Sequence, residues 1–317
     1  MSTQSIASPS PASVEPAVPR DAAPSLRSFG AMLLLAVMWG LSIPVTKLGL
    51  LTLPPLTLTA LRFAIAVPLL MLFIVGRQRL SWRALPHVAA LGVLGIGIGQ
   101  VAQTFGVAGT SASVGTIISA TIPVFIVVFA ALRLKQPVSG RQQLGLLAAF
   151  AGIALVALGN EGGTADLFET SVSGAAWVLL SAVTIAFYYV WSVELTDRYG
   201  TAAVAAWSTL FGFIALLPWA GWEMRLVPIE ITAQALWAAV YLGVVVTVAG
   251  LFLWLSILRN VPARIAASVQ YLQPVIGIAA SSVMFGDTMG AAFVAGVVLI
   301  LAGLAMTMAT RKPAQAG

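Results

Sequence analysis

Charge is nearly absent from long stretches of this chain, and the few charged residues fall between those stretches. From residue 30 to residue 310 the sequence divides into ten apolar runs, near 30–50, 56–76, 85–105, 110–132, 142–160, 173–194, 201–221, 232–256, 263–285 and 289–310. A helix that crosses a bilayer needs about 20 apolar residues in succession, and these runs approach or reach that length. Composition leaves no room for a soluble domain of the same size: hydrophobic residues make up 60% of the chain and charged residues 8%, whereas a soluble surface takes about 25% charged residues. The gaps between runs are short. The sequence therefore predicts an all-α membrane protein, with ten transmembrane helices in one bundle.

Residues 1–27 differ in kind. They are rich in Pro, Ala and Ser, show no apolar periodicity, and lack the charged start and apolar core of a signal peptide, so they read as a disordered tail. Residues 311–317 form a second, short tail. Lysine and arginine orient what lies between. With the N-terminus in the cytoplasm, thirteen of the 16 basic residues fall in cytoplasmic segments, Arg77, Arg83, Arg133, Arg198 and Arg259 among them. The opposite loops carry acids instead, including Glu161, Glu223, Glu230 and Asp287. The positive-inside rule then puts both termini in the cytoplasm. The net charge of +6 reports topology and not nucleic-acid binding, because no aromatic–basic surface module accompanies it.

Several function classes are excluded by what is missing. There is no cysteine, and the one histidine, His87, stands at the mouth of the third run. The carboxylates lie in the tail, in loops or at the ends of runs. With no buried acid pair, nucleophile–base pair or ligand cluster, we expect no enzyme activity, no metal and no cofactor. The glycine-rich LGVLGIGIGQ at 91–100 follows no strand and lacks a Lys-Ser or Lys-Thr, so it reads as close helix packing, not a phosphate loop.

The two halves of the chain repeat. SATIPVFIVVFAALRLKQPVSGRQQLGLLAAFAGIA, from residue 119, aligns with QYLQPVIGIAASSVMFGDTMGAAFVAGVVLILAGLA, from residue 270, at a constant spacing of 151 residues. Pro123 meets Pro274, Gly145 meets Gly296 and Gly152 meets Gly303, and upstream Leu91-Gly92-Val93 meets Leu242-Gly243-Val244. Each half holds five runs. An odd number makes the second half enter the membrane from the other side, giving two inverted repeats around a central cavity, at 28–160 and 172–310. Secondary transporters are often built this way. Pro123 and Pro274 are then expected to kink equivalent helices and shape the cavity.

With MWGLSIPVTKLGL in the first run, LTALRFAIAVPLL in the second and the paired proline–glycine repeats, the chain resembles the drug/metabolite transporter superfamily, in particular its EamA-type exporters. Within them it is most similar to the YddG-like amino-acid exporter branch. That resemblance implies export of aromatic and other small amino acids across a bacterial inner membrane by alternating access, without ATP and as a monomer. Carriers of nucleotide sugars or sugar phosphates share the fold, exporters of other metabolites or drugs are close relatives, and a channel-like pore is the alternative of a different class. Members often carry an acid after the fourth and ninth helices. Here the ninth has Asp287, while the fourth has Gln136.

Helical spacing groups the polar and aromatic residues that could line a cavity. Trp39, Ser42 and Thr46 share a face of the first run, and Gln100, Gln103 and Thr104 one of the third. Tyr188 and Trp191 share a face of the sixth; Trp254 and Thr247 lie on the eighth, and Tyr271 and Gln273 on the ninth. Amides at membrane depth are costly unless paired or wet, and rings beside them offer a stacking surface to a substrate side chain. The same groups could instead tie helices together. Two charges stand inside runs, Lys47 and Arg62. Either could attract a substrate carboxylate. Alternatively Lys47 snorkels to the interface and Arg62 bonds to a neighbouring helix. Trp82, Trp219, Trp222 and Trp237, near run ends, are expected at the membrane interfaces.

Overall fold

The structure, a computed structural model, describes residues 26–76, 80–135, 139–158, 172–261, 269–287 and 289–308. Residues 1–25 of the first expected tail, all of the second, and the turn at Gln136 lie outside the described residues. Among those described there is helix and no strand. We number the helices in chain order. Helix α1 comprises Leu26–Gly40 and Ser42–Gly49, α2 is Pro55–Ile74, and α3 is Leu85–Leu91 and Ile98–Ala108 joined by a π-helical segment, Gly92–Gly97. Helix α4 comprises Ala112–Ser119 and Ile122–Leu134, α5 is Gly140–Leu158, and α6 is Val172–Trp191 with its extension Val193–Tyr199. Helix α7 is Thr201–Leu226, and α8 is Ala233–Val240 and Gly250–Asn260 joined by a second π-helical segment, Tyr241–Ala249. Helices α9, Val269–Phe285, and α10, Ala291–Met308, complete the set.

Seven of these are long and apolar enough to cross a membrane: α1 to α4 and α6 to α8. The apolar stretches Gly140–Val156, Leu272–Phe285 and Ala291–Met306, in α5, α9 and α10, are shorter. Lipid offers backbone groups no hydrogen bonds, so each interruption must be satisfied inside the protein. Pro44 has no N–H to close onto Gly40, and α1 steps at Leu41. The break in α6 falls at Ser192, the repeat equivalent of Leu41, where Arg133 Nη1 donates to the Val190 carbonyl. The two π-helical segments also fall at equivalent places in α3 and α8, as do the left-handed residues Lys135 (φ 51°) and Gly286 (φ 69°) just past α4 and α9. The two expected kinks are built differently. Pro123 opens the second part of α4 after a break at Ala120–Thr121, whereas Pro274 sits within α9.

Glycine sets how closely the helices approach. Gly92 packs on the Ser208 backbone, Gly95 on Tyr188 and Gly97 on Gly212, so the glycine-rich start of α3 lies flat against α6 and α7. Helices α5 and α10 cross at Gly152 and Gly296, each of which would drive an added Cβ into the other's carbonyl, at 2.7 and 2.9 Å. Gly303 meets Gly145 in the same way, at 2.5 Å. Large apolar residues that face outwards, such as Leu72, Leu147, Val283 and Val298, remain exposed in the isolated chain and match a lipid-facing surface. Trp82, Trp219, Trp222 and Trp237 are all exposed as well.

Gly152→Ala should therefore cost about 1–3 kcal/mol through overpacking, read as a lower unfolding midpoint in detergent. Gly221→Ala, with nothing within 4 Å of its added Cβ, should leave the midpoint unchanged or raise it.

Candidate functional site

The π-helical segment of α8 organises one polar centre. Inside it Thr247 Oγ1 donates to the Leu242 carbonyl at 2.8 Å, and it accepts from Arg62 Nε at 3.1 Å. Arg62 Nη1 donates to Gln100 Oε1 at 2.6 Å. One guanidinium thus ties α2 to both α3 and α8, and a half-buried cation obtains neutral oxygen partners in place of water. The neighbouring carbonyl, Val246, accepts from Trp39 Nε1 at 3.1 Å, and Tyr241 Oη donates to the Met38 carbonyl at 3.0 Å. Trp39 and Trp254 face each other at 5.9 Å with a tilt of 46°. Four helices, α1, α2, α3 and α8, therefore meet at a place that is neither straight helix nor purely apolar, and π-helical segments of this kind occur often at functional sites.

The other predicted residues are spread more widely. Thr104, buried, donates to the Gln100 carbonyl and accepts from Thr59 Oγ1, both at 2.9 Å. Gln103 is half-buried and makes no hydrogen bond among the described residues. Ser42 is half-buried, and its carbonyl accepts from the buried Thr46 Oγ1 at 2.7 Å. Tyr188 packs on Gly95 of α3. Gln273 is half-buried, and its carbonyl faces Gly40 where α9 crosses α1. The side chain of Tyr271 lies outside the described residues.

Lys47 does not reach solvent. Its Nζ donates to the carbonyls of Val107, Ala108 and Thr110 at 2.9, 3.2 and 2.7 Å, closing the C-terminal end of α3. A cation there also complements the negative end of the helix dipole. The Asp287 carboxylate, within electrostatic range of Lys47, accepts from the Ser113 N–H at 2.8 Å in the first turn of α4. Glu223 does the same for α2, accepting from Thr57 N at 2.7 Å and Thr57 Oγ1 at 2.8 Å. Charges from one helix thus cap the ends of others.

A cavity of about 550 Å³ opens at the opposite end of the bundle, between α3, α4 and α6. That volume suits a small solute. Its wall holds Arg83, His87, Arg133, Arg198 and Glu194, with Phe187, Trp191 and Tyr199 as its aromatic part. Phe187 and Trp191 stack at 4.5 Å, the Arg133 guanidinium lies 5.3 Å from the Trp191 ring, and Arg198 lies 5.4 Å from the Tyr199 ring. Arg133 pairs with Glu194 at 2.9 Å, but Glu194 is 77% exposed, so the pair adds little stability. Among the described residues, Arg83, His87 and Arg198 have no carboxylate partner, which leaves the cavity positive. Of the residues singled out in the sequence, Trp191 is in this wall. Arg83, Arg133 and Arg198 were out of reach of sequence reasoning, because their signal was the positive-inside charge itself. A second, apolar groove of about 400 Å³ runs along α3 and α7 between Trp177 and Trp219.

Comparison with known proteins now decides the family. The EamA-like transporter family matches residues 27–158 and 172–309. The chain belongs to that family. It is a multi-pass membrane protein and a transporter, not an enzyme. It is 25% identical over 286 residues to an uncharacterized transporter of Archaeoglobus fulgidus, covering 90% of this chain and 100% of that one. It is 28% identical to a "probable terminal-alkyne amino-acid exporter" of Streptantibioticus cattleyicolor, over 85% of this chain and 92% of that one. A "probable amino-acid metabolite efflux pump" of Salmonella typhimurium is also 28% identical, over 86% and 91%. A solved crystal structure at 19% identity superposes with a TM-score of 0.59, covering 88% of this chain and 96% of that one, and shows the same fold.

Gln100→Leu should destabilise the protein by about 1–3 kcal/mol, because it strands a guanidinium donor. Gln103→Leu should not. Unfolding midpoints of the two variants in detergent would decide it.

Proposed function

We propose that this transporter exports amino acids, aromatic and other small ones, from the cytoplasm of a bacterium across its inner membrane by alternating access. The supporting observation is the cavity at the basic end. Its unpaired arginines suit a carboxylate, its Phe187–Trp191–Tyr199 wall suits a flat or apolar side chain, and the positive-inside rule puts it on the cytoplasmic side. The two relatives with amino-acid exporter names support the same substrate class. The architecture we infer is ten membrane crossings in two inverted five-helix repeats, with domains at 28–160 and 172–310 and both termini in the cytoplasm. The crossing of α5 and α10 supports it: replacing each residue by its repeat equivalent turns the Gly152–Gly296 contact into the Gly303–Gly145 contact, as an axis between inverted halves requires. In this reading α5, α9 and α10 cross the membrane despite their shorter apolar stretches, and the substrate moves from the basic cavity toward Trp39, Gln100, Gln103 and Trp254. The chain acts as a monomer.

Counterflow in proteoliposomes loaded with each amino acid tests the substrate. Labelled phenylalanine or tryptophan should accumulate against an unlabelled pool, with nucleotide sugars and sugar phosphates inert. Trp191→Ala should reduce this flux about five- to tenfold, through lost ring contacts of about 1–1.5 kcal/mol. Saturation and exchange of the labelled pool distinguish a carrier from a pore.

The described carboxylates, Glu194, Asp197, Glu223, Glu230 and Asp287, all lie at helix ends or in loops, away from the depth where a proton relay works. Flux should therefore persist without an imposed pH gradient. Concentrative uptake that collapses with a protonophore would overturn facilitated transport.

A further inference from the structure

The repeat lets the two ends of the bundle be compared residue by residue, and they are not alike. In the cavity wall, His87 and Arg198 are exposed, and Phe187, Trp191 and Leu195 are half-buried. Their equivalents in the other half, 151 residues away, are Ala238, Lys47, Ala36, Gly40 and Pro44, and all five are buried. One end is open and its image is shut.

What shuts it is specific. The part of α1 after the Leu41 step carries Lys47 onto the last carbonyls of α3, and Asp287 sits beside it on the first turn of α4. The equivalent of that helical part is Val193–Tyr199, beyond the matching break at Ser192. It swings no cation onto a helix end: Arg198 lies over the Tyr199 ring. The equivalents of Val107, Ala108 and Thr110 are Leu258, Arg259 and Val261, the last turn of α8 and the residue after it.

Resting on the alternating-access reading above, we propose that Lys47 and Arg198 are the two gate residues of the transport cycle. Lys47 holds the outer end closed by capping α3. In the opposite state Lys47 leaves α3, and Arg198 caps the last turn of α8, bringing Val193–Tyr199 over the cavity. Each cation serves as a positioning residue for the short helix that bears it. A helix C-terminus attracts a cation in either half, so one chemical device can serve both gates.

The absence of cysteine allows a clean test. A single reporter is placed at the shut end, Thr46→Cys, or in the cavity wall, Leu195→Cys, and labelling is followed with an impermeant maleimide from each side of oriented proteoliposomes. In the Lys47→Met background, labelling of the Thr46→Cys reporter from outside should rise, and labelling of the Leu195→Cys reporter should fall, each by about fivefold or more. Lys47→Arg should restore the original pattern. Arg198→Met should act oppositely, raising inner labelling and lowering outer labelling. If Lys47→Met fails to fold, the Arg198→Met arm still decides the matter, since Arg198 is exposed in this state. Anticorrelated labelling that neither variant moves overturns the gate assignment alone. Simultaneous access to both reporters in the unsubstituted background overturns alternating access itself.

Discussion

A helix that ends near a membrane leaves four carbonyls or four amide groups without partners, and the rest of this structure is arranged around that constraint. The ammonium of Lys47 takes two carbonyls of α3 and that of Thr110 just beyond it, and carboxylates of Asp287 and Glu223 take amides of α4 and α2. In each case the charge comes from a different helix than the one it closes. A cap supplied within one helix would stabilise that helix alone. A cap supplied across the bundle makes the closure of one helix depend on the position of another. Relative movement of helices is then coupled to the making and breaking of strong, charge-assisted bonds.

Close packing and mobility are divided between different parts of the repeat. The α5–α10 crossing is glycine against glycine carbonyl, with the branched side chains of Ile300 and Val156 packed tightly beside it, and suits a fixed contact. The ends of α1 and α6 behave otherwise, since both helices are interrupted at equivalent residues and continue as short segments. A step such as Leu41 or Ser192 concentrates a change of direction at one residue without unwinding the remainder. The π-helical segments add a second kind of irregularity deeper in the bundle, where Arg62, Thr247 and Trp39 converge.

How much of this could be read beforehand follows the physics of each feature. Solvent preference is local, so the apolar runs gave away seven helices long enough to cross, and a run drawn at 56–76 returns as Pro55–Ile74. The repeat spacing was legible too, because paired residues carry it directly. The π-helical segments were not: the glycines of Gly92–Gly97 point to close helix packing, and Tyr241–Ala249 reads as ordinary apolar helix. For Lys47 the sequence leaves a substrate contact and snorkelling open, and the structure gives it three carbonyls at the end of a helix about 60 residues away. No periodicity within α1 could name that partner. Gln100 was singled out as an amide at depth, but its bond to Arg62 joins residues on different helices, so spacing along α3 had nothing to say about it.

The basic residues show most clearly why an expected orientation takes less information to write down than a site. Insertion counts lysine and arginine wherever they fall in a short flanking segment, so Arg27 and Arg141, both exposed, contribute to orientation as much as any other. A cavity wall is more selective, because it needs the charge on one face and within reach of the aromatic rings. Arg133 and Arg198 satisfy both conditions, and no linear pattern separates them from the other basic residues. The separation comes from the way α6 runs past its break at Ser192. That extension places Glu194 against Arg133 and Arg198 against Tyr199, and so gathers part of the basic charge of the chain beside the aromatic rings of the cavity wall.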